Sequence, residues 1–225
     1  MKDKAGDTTI GNNKDDRHRD KLQVLNTLIL AIATLAITWC SYQGVLWNGI
    51  QTFKLGDSNK FARLAQQKTI LTGQNRAMDE GILIAFVNAA VEKKQNMIDH
   101  ALRSVRPELS KIMSAWLSSR PFENPTAFPH PMAMPEYIEQ LKKDMAEADK
   151  FSQQAEEARN AALEANANSD NYSLLTVVFG MVMFLGAITS KITRVSLSFA
   201  AIVAAGIICI VALTFLFFQM PIASR

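Results

Sequence analysis

Few residues in this chain combine the type and spacing that chemistry requires. Three histidines, His18, His100 and His130, stand far apart in sequence, and none has a second ligand at metal-binding spacing. Gly6 and Gly11 have the separation of a phosphate-binding loop, but Asn12 and Asn13 occupy the places of its lysine and hydroxyl residue. The acidic pairs Asp79-Glu80 and Glu156-Glu157 are adjacent in sequence, so on a helix their carboxylates point in different directions. They read as capping and surface charge rather than as a general acid and base. Cys40 and Cys209 lie in or beside apolar stretches. The segment between those stretches has no cysteine, so no disulfide supports it. No nucleophile–base pair is visible. These observations predict a protein that is not an enzyme and has no cofactor, with no catalytic, cofactor-binding or metal-ligating residues and no small-molecule substrate identified.

What the chain has instead is three long stretches without Asp, Glu, Lys, Arg or His: Leu22–Phe53, Asn171–Ser190 and Val195–Ser224. A helix of about 20 apolar residues crosses a bilayer. The mean hydropathy of +0.04 and the 20% of charged residues conceal this. Of 45 charged residues, 31 lie between Asn48 and Asp170 and 11 precede Leu22, leaving Lys191, Arg194 and Arg225. The expected fold is all-α: an integral membrane protein with three transmembrane helices and a helical, coiled-coil-like extramembrane domain. Its expected parts are a charged tail over residues 1–21, spans over 22–42, 172–190 and 195–218, and an extramembrane domain over 43–171. No small-x-small cleavage site follows the first apolar stretch, so it is expected to remain as an anchor. No charged side chain lies within a span, which argues against a proton relay or an ion-coupled transporter. The net charge of +3 forms no broad basic face, which argues against nucleic acid as a partner.

Orientation follows from the short segments. The tail carries six Lys/Arg, and the link between spans two and three carries Lys191 and Arg194 with no acid. Both belong in the cytoplasm by the positive-inside rule, which leaves the domain and the C-terminus outside. Trp39, Tyr42 and Trp47 follow the first span and Tyr172 opens the second. All four are expected at one membrane interface, where amphipathic rings are favoured. Small residues recur along each span: Thr27, Ala31, Thr34, Thr38 and Ser41; then Ser173, Thr176, Gly180, Ala187 and Ser190; then Ser198, Ala201, Ala205 and Ala212. Such stripes let helix backbones approach closely. Thr34, Thr38, Gly180, Ala187, Ala201 and Ala205 are the expected helix-packing residues, within one chain or between copies, with Val182 off the stripe. The partners implied are the lipid bilayer and either further copies of the chain or another membrane protein.

In the central segment Asp57 and Ser58 suggest a helix start. Further helices are expected over about Asp79–Arg103 and about Pro107–Leu117, with a long one from about Glu136 to Asp170 that runs on into span two. Its seam is read through Ile138, Leu141, Met145, Ala148, Phe151, Ala155, Ala158, Ala162 and Ala165. Between them, residues 120–135 hold five prolines and exclude a helix. Phe122, Phe128, Met132 and Met134 in this loop are expected to lie back on the helices. The alternative is a rigid apolar docking loop for a partner protein.

Several motifs carry a resemblance. They are Trp39-Cys40-Ser41-Tyr42-Gln43 with Trp47, Trp116-Leu117 followed by Pro121-Phe122-Glu123-Asn124-Pro125, Met134-Pro135-Glu136-Tyr137, and Ser169-Asp170-Asn171-Tyr172. With the order of the elements, they resemble a family of bacterial three-span inner-membrane proteins with a helical domain between spans one and two. The resemblance implies an inner-membrane location and assigns no activity and no catalytic residues. The functions left are a non-enzymatic membrane scaffold or protein-interaction protein and, as the alternative, a homo-oligomeric channel.

Overall fold

In the computed structural model, residues 8–189, 191, 192 and 194–223 are described, with side chains from Asp20 onward. The elements are α1 (Thr8–Val91), α2 (Gln95–Arg103), α3 (Pro107–Ser118), a single 3-10 turn (Pro131–Ala133), α4 (Pro135–Thr189) and α5 (Val195–Gln219). No strand occurs among the described residues. Three helices, α1, α4 and α5, are long and apolar enough to cross a membrane. The chain divides into two compact units. Unit 1 takes the residues up to Lys54 and those from Asn160 on, and unit 2 is Leu55–Arg159.

The first proline in the chain is Pro107, so nothing blocks α1 over its 84 residues. It passes through Asp57 and Ser58, where a start was expected. Ser58 does not cap; its hydroxyl donates 2.8 Å to the carbonyl of Ala155 on α4. The helix expected over Asp79–Arg103 is instead the end of α1 plus α2. The break is a Schellman turn: Lys93 has φ 57°, its N–H reaches the Ala90 carbonyl, and the Lys94 N–H reaches that of Ala89. α3 ends in a related way on Arg120, φ 52°, with Pro121 preventing further helix.

Unit 1 packs three faces, mostly at three- and four-residue steps. α1 gives Asn26, Ala33, Ala36, Cys40 and Gln43; α4 gives Tyr172, Leu175, Phe179, Val182, Gly186 and Thr189; α5 gives Ile202, Ala205, Cys209, Ala212, Leu216 and Met220. These faces differ from the small-residue stripes. Thr34, Thr38 and Ala187 are exposed, Ala201 is half-buried and Ala205 is buried. Gly180 has open space where a Cβ would stand. Gly186 is the close contact: a Cβ there would lie 2.7 Å from Leu30 Cδ2 and 3.0 Å from Asn26 Oδ1. Val182, off the stripe, is fully buried. The reason is one of angle. The intrachain face of α1 runs one residue beside the hydroxyl stripe, so the threonines are exposed; the Thr34 and Thr38 hydroxyls bond back to the Leu30 and Thr34 carbonyls, and Thr34 also reaches Met183 Sδ on α4 at 3.8 Å.

The exposure pattern of unit 1 inverts that of a water-soluble bundle. Leu35 (72% exposed), Phe184 (65%), Val211 (64%) and Phe218 (84%) point outward, while Asn26, Gln43 and Thr189 are buried. Water as solvent selects the opposite arrangement.

In unit 2, α1 and α4 run antiparallel, as the Ser58–Ala155, Lys68–Glu147 and Asp79–Tyr137 contacts show. The inward positions on α4 are Tyr137, Leu141, Asp144, Ala148, Phe151, Ala155 and Ala158. They repeat every seven residues, with Tyr137 and Asp144 in place of the expected Ile138 and Met145, both of which are exposed. The shift is caused by Tyr137, whose hydroxyl is drawn inward to a carboxylate.

Candidate functional site

That carboxylate is Asp79, on the seventh residue before the core Phe86 and hence on the same face of α1. It is 0% exposed. Its Oδ1 accepts from Arg106 Nε at 2.8 Å, and its Oδ2 accepts from Arg106 Nη2 at 2.6 Å and from the Tyr137 hydroxyl at 3.1 Å. Arg106 is the residue before α3, and Tyr137 stands in the first turn of α4. One carboxylate thus joins α1, α3 and α4 through a bidentate pair and a phenol. Asp79 is therefore not surface or capping charge, as its sequence neighbourhood suggested. The hydrogen bond to Asp79 raises the Arg106 pKa above its ordinary value, against the opposing effect of burial. Burial, reinforced by the charge on Asp79, pushes the Tyr137 phenol up to about 12. Both donors keep their protons at neutral pH. With both oxygens engaged and no exposed edge, Asp79 is arranged to hold helices and not to meet a substrate.

Next to this clamp lies the apolar core of unit 2: Phe86, Ala101, Met113, Trp116 and Met134. Trp116 meets the rings of Phe86 and Phe122 edge-on at 6.2 and 6.0 Å. Its indole Nε1 donates 2.7 Å to the carbonyl of Phe128. The proline-rich loop is thereby tied down at its middle. Asn124 orders its first half: the side-chain amide donates to the Ser119 carbonyl, and its Oδ1 accepts from the Thr126 N–H and hydroxyl. Met134 is buried in this core and Met132 is half-buried. The two phenylalanines do not follow them: Phe122 is 63% and Phe128 45% exposed. The loop is anchored through Trp116, Asn124 and Met134, and Phe122 keeps one edge against Trp116.

The aromatic residues expected at a membrane interface also divide. Trp39 and Tyr42 are exposed, with ring centroids 6.1 Å apart. Tyr172 is fully buried and is not presented to any surface. Its hydroxyl and the Trp47 indole N–H both donate to the carbonyl of Pro221, each at 3.1 Å. Among the described residues, no group of three or more His, Cys, Asp or Glu is placed to hold a metal ion.

Comparison of the chain with protein-family models, with curated proteins and with solved structures finds no match. The functional reading therefore rests on the residues themselves.

Proposed function

We propose that this chain is a three-span protein of the bacterial inner membrane that acts without catalysis, as a scaffold docking other proteins. The inverted exposure of unit 1 supports insertion: its apolar side chains face outward over lengths that suit a bilayer. The cationic tail and the Lys191/Arg194 link stay in the cytoplasm, and residues 43–171 and the C-terminus lie outside. The observation that carries the docking role is the loop. Phe122 and Phe128 stand exposed on a backbone fixed by Trp116 and Asn124. Apolar rings on a pre-ordered loop bind a partner at little entropic cost.

The test is a crosslinking pull-down from membranes with the Phe122→Ala/Phe128→Ala variant beside the parent chain. The scaffold reading expects one specific partner to be lost while unit 2 is destabilised by no more than the lost Phe122–Trp116 ring contact, about 0.5–1.5 kcal/mol. A partner set identical in both, with purified chain that captures nothing, contradicts it.

A homo-oligomeric channel is the second reading, favoured by Thr38, which is exposed, and by Gly180, which has open space where a Cβ would stand. Several copies would place that stripe at a dry contact or along a pore. The mass of the detergent-purified complex, with ion flux in liposomes, separates the readings: flux from a complex of identical chains favours the channel.

A further inference from the structure

Beyond α5 the chain turns back onto the end of unit 1. Met220 leaves the helix in extended conformation, φ −92° and ψ 121°, and Met220 and Ala223 are buried. Three side chains from two other helices meet this segment. Trp47 of α1 and Tyr172 of α4 donate to the Pro221 carbonyl, and the fully buried Gln43 accepts the Ala223 N–H at 2.8 Å through Oε1. All three bonds go to main-chain atoms, while the Pro221 and Ile222 side chains are exposed. Proline at 221 brings no N–H of its own to satisfy in this position. We infer that Gln43, Trp47 and Tyr172 form a receptor for extended main chain, filled by Met220–Ala223, and that this clasp seats α5 in the bundle.

The inference rests on the reading of the three apolar helices as spans. The face that α5 turns to the bundle is apolar: Ile202, Ala205, Cys209, Ala212 and Leu216. In lipid such a face gains little by leaving acyl chains for another helix, so apolar contact alone specifies neither the register nor the rotation of α5. Directional hydrogen bonds at one end do specify them. Without the segment, Gln43 and Tyr172 would also be left as buried polar groups without these partners, at a cost that favours closure.

The test uses the full chain in membranes, with Trp47→Phe/Tyr172→Phe, which removes both donors and keeps two rings. Cys40, fully buried three residues before Gln43, reports opening in a Cys209→Ala background. Its alkylation by a permeant maleimide is expected to rise about eightfold, the equilibrium factor for two interhelical hydrogen bonds of average strength in a bilayer. Seating of α5 is read separately by a short thiol crosslinker between Ile29→Cys and Gly206→Cys, with both native cysteines replaced. The Ile29 Cδ1 lies 3.6 Å from where a Gly206 Cβ would stand. The crosslink is expected to form readily in the parent and several-fold more slowly in the double variant. An unchanged crosslinking rate overturns the clasp, as does unchanged alkylation of Cys40. If the double variant fails to accumulate, Tyr172→Phe alone is read in the same way. Membrane fractionation of the parent chain reports independently on whether the spans insert.

Discussion

Replacing Arg106 with methionine is expected to cost unit 2 about 3–5 kcal/mol, the range for removing one partner of a buried ion pair. The size follows from Asp79, which is 0% exposed and would keep only the Tyr137 hydroxyl. The reverse change, Asp79→Leu, is expected to cost less. The Arg106 side chain is 21% exposed, so it can turn to water and to Glu108, whose carboxylate is already 3.6 Å away. The double change Asp79→Leu/Arg106→Met should recover most of the loss, because two apolar groups then fill the site with no charge stranded. Hydrogen exchange in the amides of α2 and α3, read in the detergent-purified full chain, measures this locally. Equal exchange in Arg106→Met and the parent would show that the pair does not hold these helices.

Trp116→Ala carries the second large effect, also about 3–5 kcal/mol. Trp116 is 2% exposed and closes the core formed by Phe86, Met113 and Met134. Its removal leaves a cavity and takes the indole donor from the Phe128 carbonyl, so the proline-rich loop loses its central tie. Phe122→Ala loses one edge-on ring contact while most of its ring already meets solvent, so about 0.5–1.5 kcal/mol is at stake. The contrast is checked by denaturant unfolding of the two variants. Comparable losses in both would mean that Phe122 belongs to the core, as the loop sequence alone suggested.

The sequence made the long elements legible, since they depend on composition over many residues. Charge-free runs marked the three apolar helices, proline density marked the 120–135 loop, and Pro107 marked the start of α3. Other features depend on angle or on distant partners. Asp57-Ser58 looked like a cap, because the partner of Ser58, the Ala155 carbonyl, lies 97 residues away. Lys93 ends α1 in the left-handed region without glycine, so no breaker residue announced that end, whereas Pro121 after Arg120 marked the end of α3. The packing faces of α1 and α4 missed the small-residue stripes by about one residue, roughly 100° of helix rotation, which composition does not encode, while on α5 Ala205 and Ala212 lie on both. Asp79 did carry a signal: it shares a face with Leu83 and Phe86, four and seven residues on. An acid on an apolar face asks for a buried cation, and Arg106 beside the helix-starting Pro107 supplies it. The roles of Trp47 and Tyr172 were hidden for a different reason. Amphipathic rings suit a lipid interface and a buried carbonyl equally well, and only the path of the chain after α5 decides between them.

The central claim is that the outward apolar side chains of unit 1 face lipid. Fluorophores attached singly at Leu35→Cys, Phe184→Cys and Val211→Cys, one on each long helix, test it in reconstituted vesicles. Quenchers carried on lipid acyl chains are predicted to quench all three, and a water-soluble quencher such as iodide is predicted to quench none. Quenching of all three by iodide, with no response to the lipid-borne quencher, would contradict the account.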